Sequence, residues 1–264
     1  MDLDEANAGG GAWWIERGEG PLVAAAIHNG HGLRPEVERL VALDEPARLR
    51  EEDPFTEGWT TIAPTRIVGL RSRFEVDLNR PPERCVYLDP ADAWGLDVWR
   101  QRPPEAVVAR SRSIYDRFYE EVRRVLGELV SRHGRVVVLD LHSYNHRRAG
   151  PGAAAAPPAE NPDLNLGTGS LDRERWKAVV DALVAAVSGF DYRGRRLDVR
   201  ENVRFRGGCF SQWIHRTFPR QVCCLAIEVK KIFMDEWTGR PYAGELETMR
   251  DVLGAAAAAV ADVL

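Results

Sequence analysis

Three short apolar runs in this 264-residue chain each lead into one residue able to do chemistry. Residues 22–27 (Leu-Val-Ala-Ala-Ala-Ile) end on His28, residues 136–141 (Val-Val-Val-Leu-Asp-Leu) on His142, and residues 223–227 (Cys-Cys-Leu-Ala-Ile) on Glu228. Runs of this length and composition read as buried strands of a parallel or mixed sheet. In open α/β sheets, ligands bind outside the carboxyl ends of the strands. Two imidazoles and a carboxylate delivered to one sheet edge are the parts of a metal-dependent hydrolase. Imidazole is the commonest ligand type of catalytic zinc, and such a site usually adds a third protein ligand, often a carboxylate.

Other residues extend the set. Glu51, Glu52 and Asp53 are candidates for the third ligand, with Glu36, eight residues after His28, as an alternative. His28 is followed by Asn29-Gly30-His31-Gly32, whose glycines let backbone approach a ligand closely. Asp77-Leu78-Asn79-Arg80 closes a weakly alternating stretch (68–78); Arg80 offers a bidentate fork and Asn79 a neutral donor for a carboxylate. Arg73 is placed to stabilise an oxyanion. Glu228 is costly to bury without a task. As a general base it would take a proton from the attacking water and pass it to the leaving amine. Arg204 and Arg206, beside Gly207-Gly208, offer further anion contacts. Cys209 carries no local feature that would depress its pKa, so it is a weak nucleophile candidate.

The elements needed to position these groups are visible as pattern. Strands are expected at 13–17, 22–27, 136–141, 164–166, 197–203 and 222–229, and one or two within 68–78. Helices are expected at 34–43, at 105–133, from a Ser170 cap to about 187, at 211–218 and at 242–264. Residues 51–54 read as an acidic loop, and residues 147–162, rich in Ala, Pro and Gly, as a mobile loop or lid. Strands alternating with helices make the class α/β, and the length fits one domain over residues 1–264. A net charge of −4 argues against a nucleic-acid binder. No apolar stretch is long enough to span a membrane. Four cysteines without zinc-site spacing point to a reducing, cytoplasmic setting. The start of the chain, residues 1–11, has no signal-peptide pattern.

Taken together, His28-Asn29-Gly30, Glu52-Asp53, the run from Ser72 through Arg73 and Asn79-Arg80 to Pro82, Leu139-Asp140-Leu141-His142-Ser143, Arg204-Phe205-Arg206-Gly207-Gly208, Ile227-Glu228 and Met234-Asp235-Glu236 resemble the N-formylglutamate amidohydrolase family, in order, from about residue 20 to 240. The resemblance implies a zinc carboxypeptidase- or aspartoacylase-like fold, a central mixed sheet with helices on both faces. It implies that His28, Asp53 (or Glu52) and His142 hold Zn2+. It further implies that Arg73 polarises the scissile carbonyl, that Asn79 and Arg80 clamp the substrate carboxylate, and that Glu228 is general base and acid. An Arg206 contact to a side-chain carboxylate would then explain an acidic substrate. The partner is a small N-acyl amino acid. The alternatives are a metallocarboxypeptidase acting on a peptide C-terminus, a non-catalytic binding protein for carboxylate metabolites, and a Cys209-dependent amidase.

Overall fold

The computed structural model describes residues 11–264, so all of the chain's start but Gly11 lies outside it. The backbone of the fold is one seven-stranded sheet. Its strands are β1 (Trp13–Glu16), β2 (Leu22–Ala26), β3 (Thr65–Gly69), β4 (Val136–Tyr144), β5 (Leu164–Gly167), β6 (Val199–Glu201) and β7 (Val222–Lys230). Their order is β1-β3-β2-β4-β7-β5-β6. The central four, β3, β2, β4 and β7, run parallel to one another. β1 pairs antiparallel at one edge, and β5 joins β7 antiparallel on the other side. The central strands are apolar on both faces because both faces are covered.

Period-two alternation divides the strand residues between two cores. Leu22 and Ala24, Val137 and Leu139, and Leu225 and Ile227 face α3 (Thr56–Trp59), α5 (Lys177–Gly189) and α7 (Glu245–Ala261). Val23 and Ala25, Val136 and Val138, and Val222 and Cys224 face α4 (Glu105–His133) and α6 (Cys209–Thr217). The buried stripe of α4, with Ile114, Phe118, Val122, Val125 and Leu129, follows the helical period. Each such aliphatic or aromatic side chain, fully buried, contributes about 1.5–3 kcal/mol. Since β2, β4 and β7 are parallel, their carboxyl ends share one edge of the sheet. His142 and Glu228 are direct register partners there.

The chain departs from the sequence pattern in several places. The helix expected at 34–43 is a single turn, α1 (Pro35–Glu38). Residues 51–54 are not an acidic solvated loop. Glu51 ends a helix, α2 (Glu45–Glu51), whose cap Asp44 accepts from Ala47 N at 2.9 Å, and Glu51, Glu52 and Asp53 are all buried. The strand sought within 68–78 is β3 and stops at Gly69. Residues 70–82 form turns instead, in which Ser72 O accepts from Glu75 N and Val76 N. The fifth helix begins at Lys177, because Ser170 spends its hydroxyl on His215 Nδ1 at 2.8 Å rather than on a cap. Gly30 is needed for packing, not ligand approach: a Cβ there would lie 2.3 Å from Leu70 C.

Candidate active site

His28 follows β2, while Asp140 and His142 lie two residues apart on one face of β4. Asp53 arrives from the segment after α2, its N–H donating to His28 O at 3.0 Å. Asp53 Oδ2 lies 2.9 Å from His142 Nδ1 and 3.5 Å from His28 Nδ1. Ser143 Oγ donates to the other Asp53 oxygen at 3.1 Å. His28, Asp53 and His142 offer ligand atoms that all fall within 4.8 Å of one another. The structure thus brings Asp53, rather than Glu52 or Glu36, to the two histidines. Glu52 is taken up by His31 Nδ1 and Ser72 Oγ, each at 2.5 Å. Glu36 pairs with Arg34 and Arg110 on the outside.

The far nitrogen of each imidazole meets a second buried carboxylate. His28 Nε2 lies 2.7 Å from Asp77 Oδ1, and His142 Nε2 lies 3.0 Å from Asp140 Oδ1. No aligned hydrogen bond reaches either Asp140 oxygen, although both are buried. Carboxylates behind ligand histidines fix their orientation and raise their basicity in metal sites. Asp77 is also paired with Arg73, but Asp53 and Asp140 have only histidines within ion-pair distance among the described residues, a negative charge that a divalent cation there would offset. Burial opposes the charge on Asp53, yet hydrogen bonds from His142 and His28 overcome it and hold the carboxyl well below its usual range. This donor set fits zinc, which prefers imidazole nitrogen and carboxylate oxygen.

Glu228 lines the same cavity of about 380 Å³ as His28, Asp53 and His142. Burial pushes its carboxyl up to about 7, with nearby Asp53 and Asp140 adding to the rise and His142 and His28 opposing it. A carboxyl poised near neutrality suits proton transfer in both directions.

The 70–82 turns bring the basic residues to this cavity. Asp77 is their hub. It accepts from Arg73 Nη2 at 2.8 Å, from Arg73 Nε at 3.2 Å, from Asn79 N at 2.7 Å and from the Tyr87 hydroxyl. Arg73 and Asp77 are four residues apart along a turn, not along a strand. A third Arg73 nitrogen donates to Glu51 O at 3.1 Å, which leaves two of its five N–H groups for a ligand. Asn79 caps α6: its Oδ1 accepts from Phe210 N at 2.9 Å, and its O accepts from Cys209 N at 3.3 Å. Gly208 makes this approach possible, because a Cβ there would sit 2.2 Å from Asn79 Oδ1. Asn79 Nδ2 lies 3.4 Å from His142 Nε2. Arg80 lies 4.0 Å from Asp77 and also lines the cavity.

Arg204 and Arg206 stand on the rim, and neither has a carboxylate partner among the described residues. Arg204 donates to Asn161 Oδ1 at 2.8 Å and lies over the rings of Tyr144 and Phe205. Residues 147–162 are pinned near their start by Glu236, which accepts from His146 N at 2.8 Å and Arg147 N at 2.9 Å. Arg148 meets Glu51 at 2.8 Å across the cavity wall. Cys209 does not line the cavity, and burial raises its thiol pKa, which argues against the cysteine amidase.

Sequence reasoning gave Asp77, Asp140, Lys231 and Trp94 no separate role. Asp140 carries the same signal as Glu228, a charge inside an apolar run. Trp94, 44% exposed and with a left-handed φ of 54°, lines the cavity under the guanidinium of Arg73. No local pattern marks it.

The carboxyl edge of this mixed α/β sheet thus gathers a histidine–aspartate cluster able to hold a metal ion beside a carboxyl raised toward neutrality. The family model described as N-formylglutamate amidohydrolase matches residues 20–234, and the chain belongs to that family, whose members are amide hydrolases. Among solved structures, N-formylglutamate amidohydrolase from Ralstonia eutropha is similar in fold with a TM-score of 0.76 at 19% identity, covering 96% of this chain and 98% of that one. A gene product of Agrobacterium tumefaciens aligns with a TM-score of 0.68 at 18% identity, covering 97% of both chains. No curated protein matches the sequence. No helix among the described residues is long and apolar enough to cross a membrane.

Proposed function

We propose that this chain is a zinc-dependent amidohydrolase that cleaves N-formyl-L-glutamate or a related N-acyl amino acid, releasing the amino acid and formate or the matching carboxylate. The observation that carries the reading is the buried His28–Asp53–His142 cluster, each imidazole backed by its own carboxylate, with Glu228 in the same cavity. Zinc held by these three residues would supply Lewis-acid polarisation of the carbonyl and of the attacking water. Arg80 and the amide nitrogen of Asn79 hold the substrate's α-carboxylate. That contact fixes the acyl carbon near Glu228 and lowers the entropic cost of reaction. The free N–H groups of Arg73 face the carbonyl oxygen as its charge develops. Glu228 accepts the proton of the attacking water and returns it to the amine nitrogen as the C–N bond breaks. Arg206 takes the side-chain carboxylate of an acidic substrate. Arg148 brings residues 147–162, the candidate lid of this single domain, to the cavity wall. All four cysteines are free, in keeping with a cytoplasmic enzyme.

The test is metal content by mass spectrometry, with turnover of N-formyl-L-glutamate beside short peptides. About one zinc per chain, lost in both His28→Ala and His142→Ala, and faster cleavage of the formyl amino acid are expected. Zinc retained by both variants would sink the ligand set. Preferential release of C-terminal residues from peptides would make the chain a metallocarboxypeptidase. Ligand binding without turnover of either would make it a binding protein.

A further inference from the structure

Lys231 is only 2% exposed, and a buried ammonium is expensive unless the fold uses it. No carboxylate among the described residues lies within ion-pair distance of its Nζ. Instead Nζ donates to two carbonyl oxygens, Arg50 O at 2.6 Å and Glu52 O at 2.9 Å. These belong to the end of α2 and the step after it, where helix carbonyls lack partners within the helix. Arg50 O also accepts from Asn145 Nδ2 at 2.9 Å, and Glu51 O from Arg73 Nη1 at 3.1 Å. Every carbonyl from Arg50 to Glu52 is therefore held from outside, and Lys231 alone holds two. The next residue is Asp53. Lys231 lies three positions after Glu228, just past β7, and its own N–H is bound to Tyr144 O at 3.0 Å. One side chain thus ties the segment that delivers Asp53 to the strands that deliver His142 and Glu228.

We infer that Lys231 is a positioning residue of the metal site: by bridging the Arg50 and Glu52 carbonyls it keeps Asp53 within reach of His28 and His142. The inference rests on the metal reading above. A lysine that served only to close the end of α2 would matter to folding and not to the metal.

Zinc affinity and folding stability separate these roles. Lys231→Met fills similar volume without donors. Zinc affinity, measured by competition with a chromophoric chelator, is expected to fall about 10–100-fold, the usual effect of removing a group that orients metal ligands. The urea midpoint of the metal-free protein is expected to change little, because removal of a desolvated charge offsets the lost bond to Glu52 O while Arg50 O keeps Asn145. Zinc affinity within twofold of wild type would overturn the inference, as would a midpoint that drops in step with affinity. If Lys231→Met does not fold, Lys231→Gln, whose shorter amide reaches at most one carbonyl, takes its place under the same criteria, with an expected loss of about tenfold. Wild-type protein that binds no zinc removes the metal reading and this inference together. Wild-type binding beside an unaffected Lys231→Met removes the inference alone.

Discussion

Glu228→Gln separates the energetic cost of the candidate general base from its use. The side chain lies against β4 among other carboxylates, and its burial lifts the carboxyl from an ordinary 4.5 to about 7. A group whose pKa is raised on folding binds its proton more tightly in the folded state. Its contribution is therefore fully present below 4.5 and is lost as pH rises through about 7. At about 1.4 kcal/mol per pH unit, that gap corresponds to about 3 kcal/mol. In metal-free protein, the stability of Glu228→Gln minus that of wild type should grow by about 3 kcal/mol between pH 4.5 and pH 8. Urea unfolding at a series of pH values reads this difference, and the subtraction removes the titrations of groups that do not interact with Glu228. In zinc-loaded protein the same variant should lose about 10²–10⁴-fold in kcat, measured by release of primary amine. A stability difference that stays flat with pH would refute the claim that the fold raises this carboxyl. Retained turnover would remove Glu228 from the chemistry whatever its pKa.

Asp140→Asn removes the carboxylate behind His142, so zinc affinity measured by chelator competition should fall about 10–100-fold; unchanged affinity would mean that Asp140 does not orient the ligand. Asn79→Ala removes the cap of α6 and should cost about 1 kcal/mol in thermal unfolding while raising KM for the formyl amino acid; a KM effect without loss of stability would contradict the capping geometry. Arg206→Ala should lower the preference for N-formyl-L-glutamate over N-formyl-L-glutamine about tenfold in kcat/KM, as expected for losing one charge-assisted hydrogen bond; normal turnover of glutamate derivatives would move that role to Arg204 or abolish it.

The sheet edge that carries the candidate site is legible because burial makes charge conspicuous. His142 and Glu228 each close or interrupt an otherwise apolar strand, so their placement follows from local pattern and parallel topology alone. Asp140 obeys the same rule, a charge inside an apolar run two residues before His142. The third candidate ligand is open in the sequence among Glu51, Glu52, Asp53 and Glu36 for a different reason. Its identity depends on where the chain turns after α2, and the carbonyls of that turn are hydrogen-bonded by Lys231, Asn145 and Arg73 from distant parts of the sequence. The strand reading of 68–78 holds only as far as Gly69 on similar grounds. Its alternation is real, but Ser72 starts a hydrogen-bonded turn that places Arg73 and Asp77 on one side at a spacing of four. Gly30 and Gly208 are plain as glycines, yet what they make room for, the Leu70 backbone and the Asn79 amide, lies 40 and 129 positions away. The sheet's share of the site is thus written locally, in strands that can be read one at a time. The loops' share is written in pairs of residues far apart, and the position of Asp53 between two imidazoles depends on both.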